Sequence, residues 1–168
     1  DATANTINAS GFAGTATTLS GGAGNDTITG SPGRDSIEGG ADDDTLQGAA
    51  GDDTISGGTG NDLLLGGSGS DMLTGDAGDD TVDGGSGSDT MNGEGGTDVV
   101  QASGSLNYTA TDSQIAADSD IDTYFEFELL SIIGDSAANR IDASAATIST
   151  MLDGGFGNDT IIGGSGKD

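Results

Sequence analysis

From Gly21 to Gln101 a large apolar residue returns at every ninth position: Ile28, Ile37, Leu46, Ile55, Leu64, Leu73, Val82, Met91 and Val100. Small and polar residues fill most of the intervals. Written from Gly21, the chain divides into nine units: GGAGNDTIT, GSPGRDSIE, GGADDDTLQ, GAAGDDTIS, GGTGNDLLL, GGSGSDMLT, GDAGDDTVD, GGSGSDTMN and GEGGTDVVQ. Position one is always Gly, position six always Asp, and position four Gly except at Asp42. A tenth unit, GGFGNDTII, runs from Gly154 to Ile162 and is followed by GGSGKD. The first six residues of a unit are turn formers that tolerate positive φ. The last three read as a short strand, with position eight facing one way and positions seven and nine the other. So short a strand cannot bury itself, so neighbouring units must stack their position-eight residues into one core. Two units make a coil of about eighteen residues, and coils stack at about 4.8 Å.

Composition alone suggests something else. The chain has 168 residues, enough for one compact domain or a short repeat array. Gly accounts for 33 residues, and 29 acidic residues against 3 basic ones give a net charge of −26. Without the repeat this would read as a self-repelling disordered chain. Such a polyanion is not expected to bind nucleic acid or anionic lipid. With neither Cys nor His, zinc, haem and iron–sulfur sites, disulfides and Ser-His-Asp or Cys-His catalysis are excluded. The apolar stretches Leu63 to Leu65 and Phe125 to Ile133 are too short to span a bilayer, so no membrane insertion is expected. No basic segment followed by an apolar run opens the chain at Asp1, so no signal peptide is expected.

Stacking sets carboxylates over one another. Asp26, Asp44, Asp62, Asp80 and Asp98 line one edge of the stack, and Asp35, Asp53, Asp71 and Asp89 the other. Two carboxylates about 5 Å apart repel by roughly 1 kcal/mol at the dielectric of water and by about 3 kcal/mol at an effective value near 20. Several such pairs exceed what a thin core tolerates. A cation between coils removes the penalty. Only oxygen ligands are available, and carboxylates with turn carbonyls suit Ca²⁺, which accepts six to eight oxygens flexibly; Mg²⁺ demands stricter geometry.

These units resemble the RTX (repeats-in-toxin) calcium-binding nonapeptide GGxGxDxUx, in which U is a large apolar residue. The resemblance implies an all-β fold, a right-handed parallel β-roll or β-helix solenoid stabilised by calcium in the turns. It implies carboxylate ligands from the nine position-six Asp residues above, and from Asp159 and Asp168 in the units that begin at 154 and 163. Turn carbonyls would complete the shells, drawn from Gly22, Gly24, Gly33, Gly40, Asp42, Gly51, Gly58, Gly60, Gly67, Gly69, Gly78, Gly85 and Gly87. Pairing each Asp with its counterpart one coil on gives about seven ions in 21–101. Ser31-Pro32, Arg34, Asp42 and Glu94 depart from the pattern; Arg34 is expected to weaken an early site, and Asp42 either adds an oxygen or merely replaces a glycine. The resemblance also implies that the parent chain is exported unfolded, usually by a type I system, and folds outside the cell.

Four segments follow: 1–20, an irregular coil; 21–101, the nonapeptides; 102–153, out of register and carrying Tyr108, Tyr124, Phe125 and Phe127; and 154–168, where nonapeptides resume. In the third, Leu106 to Thr111 and Tyr124 to Ile133 read as strands joined by a polar, acidic segment, in a wider β-helix whose aromatics seal the core. Asp118, Asp120 and Asp122 imitate the start of an EF-hand, but Thr123 and Leu129 occupy the positions that need Gly and Glu. GGSGKD lacks the upstream Gly of a phosphate loop. Adjacent carboxylates such as Asp52-Asp53 and Asp79-Asp80 belong to the repeat rather than to acid/base catalysis, and no enzyme is expected. Outward Thr27, Thr45, Thr54, Thr81 and Thr90 are interrupted by Leu63, Leu65 and Met72, which argues against an ice-binding face. DSAANRIDAS at 135–144 matches DATANTINAS at 1–10, and 152–168 matches 19–35, so the chain begins a second copy near residue 135. Unpaired strands at the ends of such a stack invite end-to-end self-association. The expected function is that of a calcium-binding structural module, secreted or on the cell surface, in a surface layer, adhesin stalk or filament. The alternative is a calcium-triggered folding and export domain of a toxin or secreted hydrolase.

Overall fold

A computed structural model of the chain describes residues 3–104, 108–111, 113–117 and 120–167. The described residues form strands and turns with no helix, so none is long and apolar enough to cross a membrane. Strands numbered along the chain fall into two sheets. One holds β1 (Thr6–Asn8), β3 (Thr27–Thr29), β5 (Thr45–Ala50), β7 (Leu63–Ser68), β9 (Thr81–Ser86), β11 (Val99–Gly104), β15 (Leu129–Gly134) and β17 (Ser149–Asp153), in that order. The other runs β2 (Thr18–Ala23), β4 (Ser36–Ala41), β6 (Thr54–Thr59), β8 (Met72–Ala77), β10 (Thr90–Asn92), β14 (Asp120–Phe125), β13 (Gln114–Ala117), β12 (Tyr108–Ala110), β16 (Arg140–Asp142) and β18 (Thr160–Ile162). Through the nonapeptides successive strands alternate between the sheets, so two units complete one coil of a parallel β-solenoid.

The ninefold pattern fixes the register. Thr27 lies beside Thr45, Leu46 beside Leu64, and Ile37 beside Ile55, each pair one coil apart. All nine position-eight side chains are at most 2 % exposed and join one cluster between the sheets. Each contributes about 1.5–3 kcal/mol by leaving water. Leu63 and Met72 take their places in the outward rows of threonines, half-exposed and in register.

Strands of the central units are twice the expected length. β4 to β9 each cover six residues, from position seven of one unit to position three of the next. The alternation continues because position-one Gly faces inward without a side chain, and the backbone ladder runs on through it, pairing Gly40 with Gly58 and Ala41 with Thr59. The turn is thereby confined to positions four to six.

Segment 102–153 differs from the expected coil. β12, β13 and β14 form an antiparallel meander lying wholly in the ten-stranded sheet. Gln114 to Ala117, expected to be a polar connection, is its central strand because Ile115 and Ala117 alternate inward into the core. The Thr111 hydroxyl accepts the Gln114 N–H at 3.0 Å, and the Tyr124 hydroxyl donates to the Thr111 carbonyl, closing the hairpin over a buried aromatic ring. The strand expected over Tyr124 to Ile133 breaks at Glu126, where φ is +58°, and its halves enter opposite sheets. Leu106, Asn107, Asp118 and Asp168 lie outside the described residues, as does the Asp120 side chain.

The two sequence copies occupy opposite faces. β1 and β3 belong to the eight-stranded sheet, whereas their counterparts β16 and β18 belong to the ten-stranded one.

Position two is left-handed in most units, as at Gly67 (φ +111°), but also at Ala49 (φ +85°). A side chain there is strained by about 1–3 kcal/mol. Ala49→Gly is therefore expected to raise the calcium-loaded thermal midpoint by about 2–4 °C. Gly67→Ala is expected to lower it, because its Cβ would meet the Ala49 carbonyl oxygen at 2.2 Å. Differential scanning calorimetry of the two variants checks both signs.

Candidate metal centre

The position-six aspartates are held by the backbone of the preceding coil. The Asp26 N–H donates to Asp44 Oδ1, Asp44 to Asp62, Asp62 to Asp80 and Asp80 to Asp98, at 2.7–2.9 Å. On the other edge Asp35 donates to Asp53, Asp53 to Asp71 and Asp71 to Asp89, at 2.7–2.8 Å. These hydrogen bonds turn each side chain inward, so all nine carboxylates are buried. Burial leaves the second oxygen stranded. Oδ2 of Asp26, Asp44, Asp53, Asp62, Asp71, Asp80 and Asp98 is inaccessible and accepts no hydrogen bond. An unsatisfied buried charge of this kind is strongly unfavourable unless something neutralises it.

Position-one glycine is what makes room for the stranded oxygen. An ideal Cβ on Gly39 would lie 2.4 Å from Asp44 Oδ2 and 2.6 Å from the Gly57 carbonyl oxygen of the next coil. On Gly57 the same distances, to Asp62 Oδ2 and the Gly75 carbonyl, are 2.4 and 2.7 Å. Each such cradle is bordered by a buried carboxylate oxygen and a carbonyl oxygen from the next coil. Sequence reasoning overlooked the position-one carbonyls and favoured those of positions two and four. The latter point along the stack, with Gly40 O at 2.1 Å from the Cβ position of Gly58 and Gly60 O at 1.8 Å from that of Gly78. Gly22, Gly51, Gly67, Gly69 and Gly78 face the next coil likewise, as does Asp42.

The donor set fits a hard cation. Only oxygens border the cradles, and among the described residues no three carboxylates converge. An ion there must draw on carbonyls as well as carboxylates, which suits the six to eight flexible oxygen ligands of Ca²⁺.

At the edges the chain makes other arrangements. Both Asp35 oxygens are satisfied without an ion: Oδ1 accepts from the Thr17 N–H and hydroxyl at 2.6 and 2.7 Å, and Oδ2 from the Ser31 N–H at 2.6 Å. Asn5 precedes Asp26 as a neutral first rung, its N–H bonding Asp26 Oδ1 at 2.6 Å. Two rungs lie outside the ninefold register, invisible to periodicity: the Asp89 N–H donates to Asp122 Oδ1 at 3.1 Å and the Asp98 N–H to Glu128 Oε2 at 2.8 Å. Half-buried Asp159 accepts the Asn139 N–H at 2.9 Å in the second copy. Arg34 sits outside the cradles, paired at 2.7 Å with exposed Asp52, and Asp42 Oδ2 accepts the Gly24 N–H at 3.0 Å. Position five forms a second, outer ladder of opposite polarity: Asn61 donates back to Asp43, Asp79 to Asn61 and Thr97 to Asp79.

Burial pushes Asp53, Asp62 and Asp71 up to about 6, against the backbone hydrogen bond each receives and with help from neighbouring carboxylates. At Asp35 burial also raises the value, but the Thr17 and Ser31 hydrogen bonds outweigh it and hold the carboxyl below its ordinary range. A carboxyl whose pKa rises on folding supports the metal-free fold below the unfolded value of 3.8 and withdraws that support as pH rises through about 6. In excess chelator the β-sheet circular dichroism signal is therefore expected to be stronger at about pH 4.5 than at about pH 7.5. A signal that instead grows with pH across this window would contradict the desolvation of these three groups.

A model of the RTX calcium-binding nonapeptide repeat (four copies) matches residues 14–46, 29–64, 38–73, 65–100 and 151–168. No individual curated protein matches the chain. The matched segments cover more than half of it, include every coil that carries a cradle of the regular kind, and describe repeats that bind calcium. On its period, its stacked carboxylates and this match, the chain belongs to the family of RTX calcium-binding nonapeptide-repeat proteins.

Proposed function

We propose that the chain is a calcium-dependent structural module, with Ca²⁺ held between successive coils along both acidic edges. The observation that carries this reading is the row of stranded buried Oδ2 atoms, each beside a position-one glycine. Ligands would come from Asp26, Asp44, Asp62, Asp80 and Asp98 on one edge and from Asp53, Asp71 and Asp89 on the other, with turn carbonyls. Asp35 contributes least, since Thr17 and Ser31 already satisfy it. Six pairs of these aspartates, and a seventh weaker one between Asp35 and Asp53, would give about seven ions in 21–101. Each bound ion lowers the repulsion within its edge, so binding and folding are coupled. Extracellular calcium is of the right order for modules of this kind, which supports a place outside the cell.

The working surface is the stack rather than a catalytic pocket. The finer reading is a secreted or cell-surface module of a surface layer, stalk or filament, supported by the parallel stacking of like coils.

The metal reading is tested by circular dichroism in excess chelator followed by calcium titration. Little β structure is expected without calcium at neutral pH, and a cooperative gain at submillimolar to millimolar concentrations. A full β-sheet spectrum in chelator would overturn it. Electron microscopy with light scattering tests the assembly reading separately: calcium-dependent filaments support end-to-end stacking, and a calcium-folded monomer at all concentrations counts against it.

A further inference from the structure

Asp98 is the last aspartate of the continuous nonapeptide run, yet its surroundings are those of an aspartate in mid-array. It is wholly buried, and its Oδ2 has no hydrogen-bond partner. Its N–H donates to Glu128 Oε2 at 2.8 Å, just as the Asp80 N–H donates to Asp98 Oδ1 at 2.9 Å. Its carbonyl accepts the Leu129 N–H at 3.1 Å, as the Asp80 carbonyl accepts that of Val99 at 2.9 Å. Glu128 thus stands where the next position-six Asp would stand, although it lies 30 residues on rather than 18.

The carbonyl half of the cradle is reproduced too. β10 and β14 place Asn92 beside Phe125, so Glu126 follows opposite Gly93. An ideal Cβ on Gly93 would lie 2.6 Å from Asp98 Oδ2 and 2.2 Å from the Glu126 carbonyl oxygen, matching the pair of oxygens at Gly39 and Gly57. In a regular unit four residues separate the carbonyl of Gly75 from Asp80; here only Phe127 separates Glu126 from Glu128. The left-handed backbone of Glu126 makes this shorter turn, and buried Phe127 anchors it edge-on against Tyr124 at 5.9 Å. Glutamate has one methylene more than aspartate, which restores the reach that the shorter turn removes.

We propose that Asp98, Glu128 and the Glu126 carbonyl form a further Ca²⁺ site, outside the nonapeptide register, that closes this acidic edge. The inference rests on the calcium reading above and extends it to residues with no nonapeptide signature. Without a cation, Asp98 would face a second carboxylate while its own buried oxygen stayed unsatisfied. All the oxygens brought together are hard donors, so the ligand class is a hard divalent cation of flexible coordination. Loading this site would tie the meander to the last nonapeptide coil.

Isothermal titration of calcium into the chelator-treated full chain, with circular dichroism in saturating calcium, tests this. Glu128→Gln retains an acceptor for the Asp98 N–H but removes the charge. It is expected to reach the wild-type β signal while binding one ion fewer. Glu126→Gln, which leaves the carbonyl in place, is expected to bind the wild-type number. An unchanged ion count in E128Q would overturn the proposal alone, whereas a wild-type chain that takes up no calcium would overturn it together with the calcium reading. If E128Q falls short of the wild-type β signal, Glu128→Asp decides: it keeps the charge but loses the reach. Weaker binding of a single ion then supports the site, and a wild-type isotherm overturns it.

Discussion

Repulsion between buried carboxylates is the constraint around which this solenoid is organised. A coil spacing of about 4.8 Å, imposed by backbone hydrogen bonding, brings like charges closer than a Gly-rich chain can tolerate. The backbone makes the conflict sharper, because the N–H of one aspartate captures Oδ1 of the next and draws the whole carboxylate out of water. In most of these carboxylates one oxygen is thereby satisfied and the other stranded. The hydrophobic core is only one apolar residue deep per strand in the nonapeptides, and cannot offset that penalty alone. Calcium, which the family's repeats bind, is the counter-charge such an arrangement calls for.

The same constraint explains the glycines. Position one is empty of side chain because the carboxylate oxygen of its own unit stands where a Cβ would be. Turn carbonyls at positions two and four approach the next coil as closely, so the small residues follow from the tight stacking as much as from φ. Where the chain needs no ion it changes chemistry locally. Ser31 and Thr17 bring hydroxyl and backbone donors to both oxygens of Asp35, on a rung where the coil before supplies no carboxylate.

Sequence periodicity carried the fold class, the register and the inward residues through 21–101, since each follows from a nine-residue spacing that admits one way of stacking. It missed whatever depends on backbone continuation or on partners at irregular distances. Strand lengths were short by half because a run of glycines reads as a turn, whereas here it extends a ladder. The meander was hidden because Ile115 and Ala117 are too few to mark a strand among polar neighbours. Glu128 and Asp122 carry no register signal: their spacing to Asp98 and Asp89 is set by the length of the meander, which only the fold measures. The position-one carbonyls were overlooked for a related reason, as every backbone oxygen looks alike in a sequence.

The meander also has a consequence for shape. It adds two strands to one sheet with none added to the other, so one face of the stack is longer by roughly 10 Å. A stack longer on one side curves away from that side. Because the second sequence copy enters on the opposite sheet, any further meander at the same spacing would lengthen the other face and turn the axis back. Repetition of this unit would then draw a gentle zigzag whose bends cancel in pairs. An odd number of half-coils per copy is thus enough to keep a rod straight that each copy, by itself, would bend.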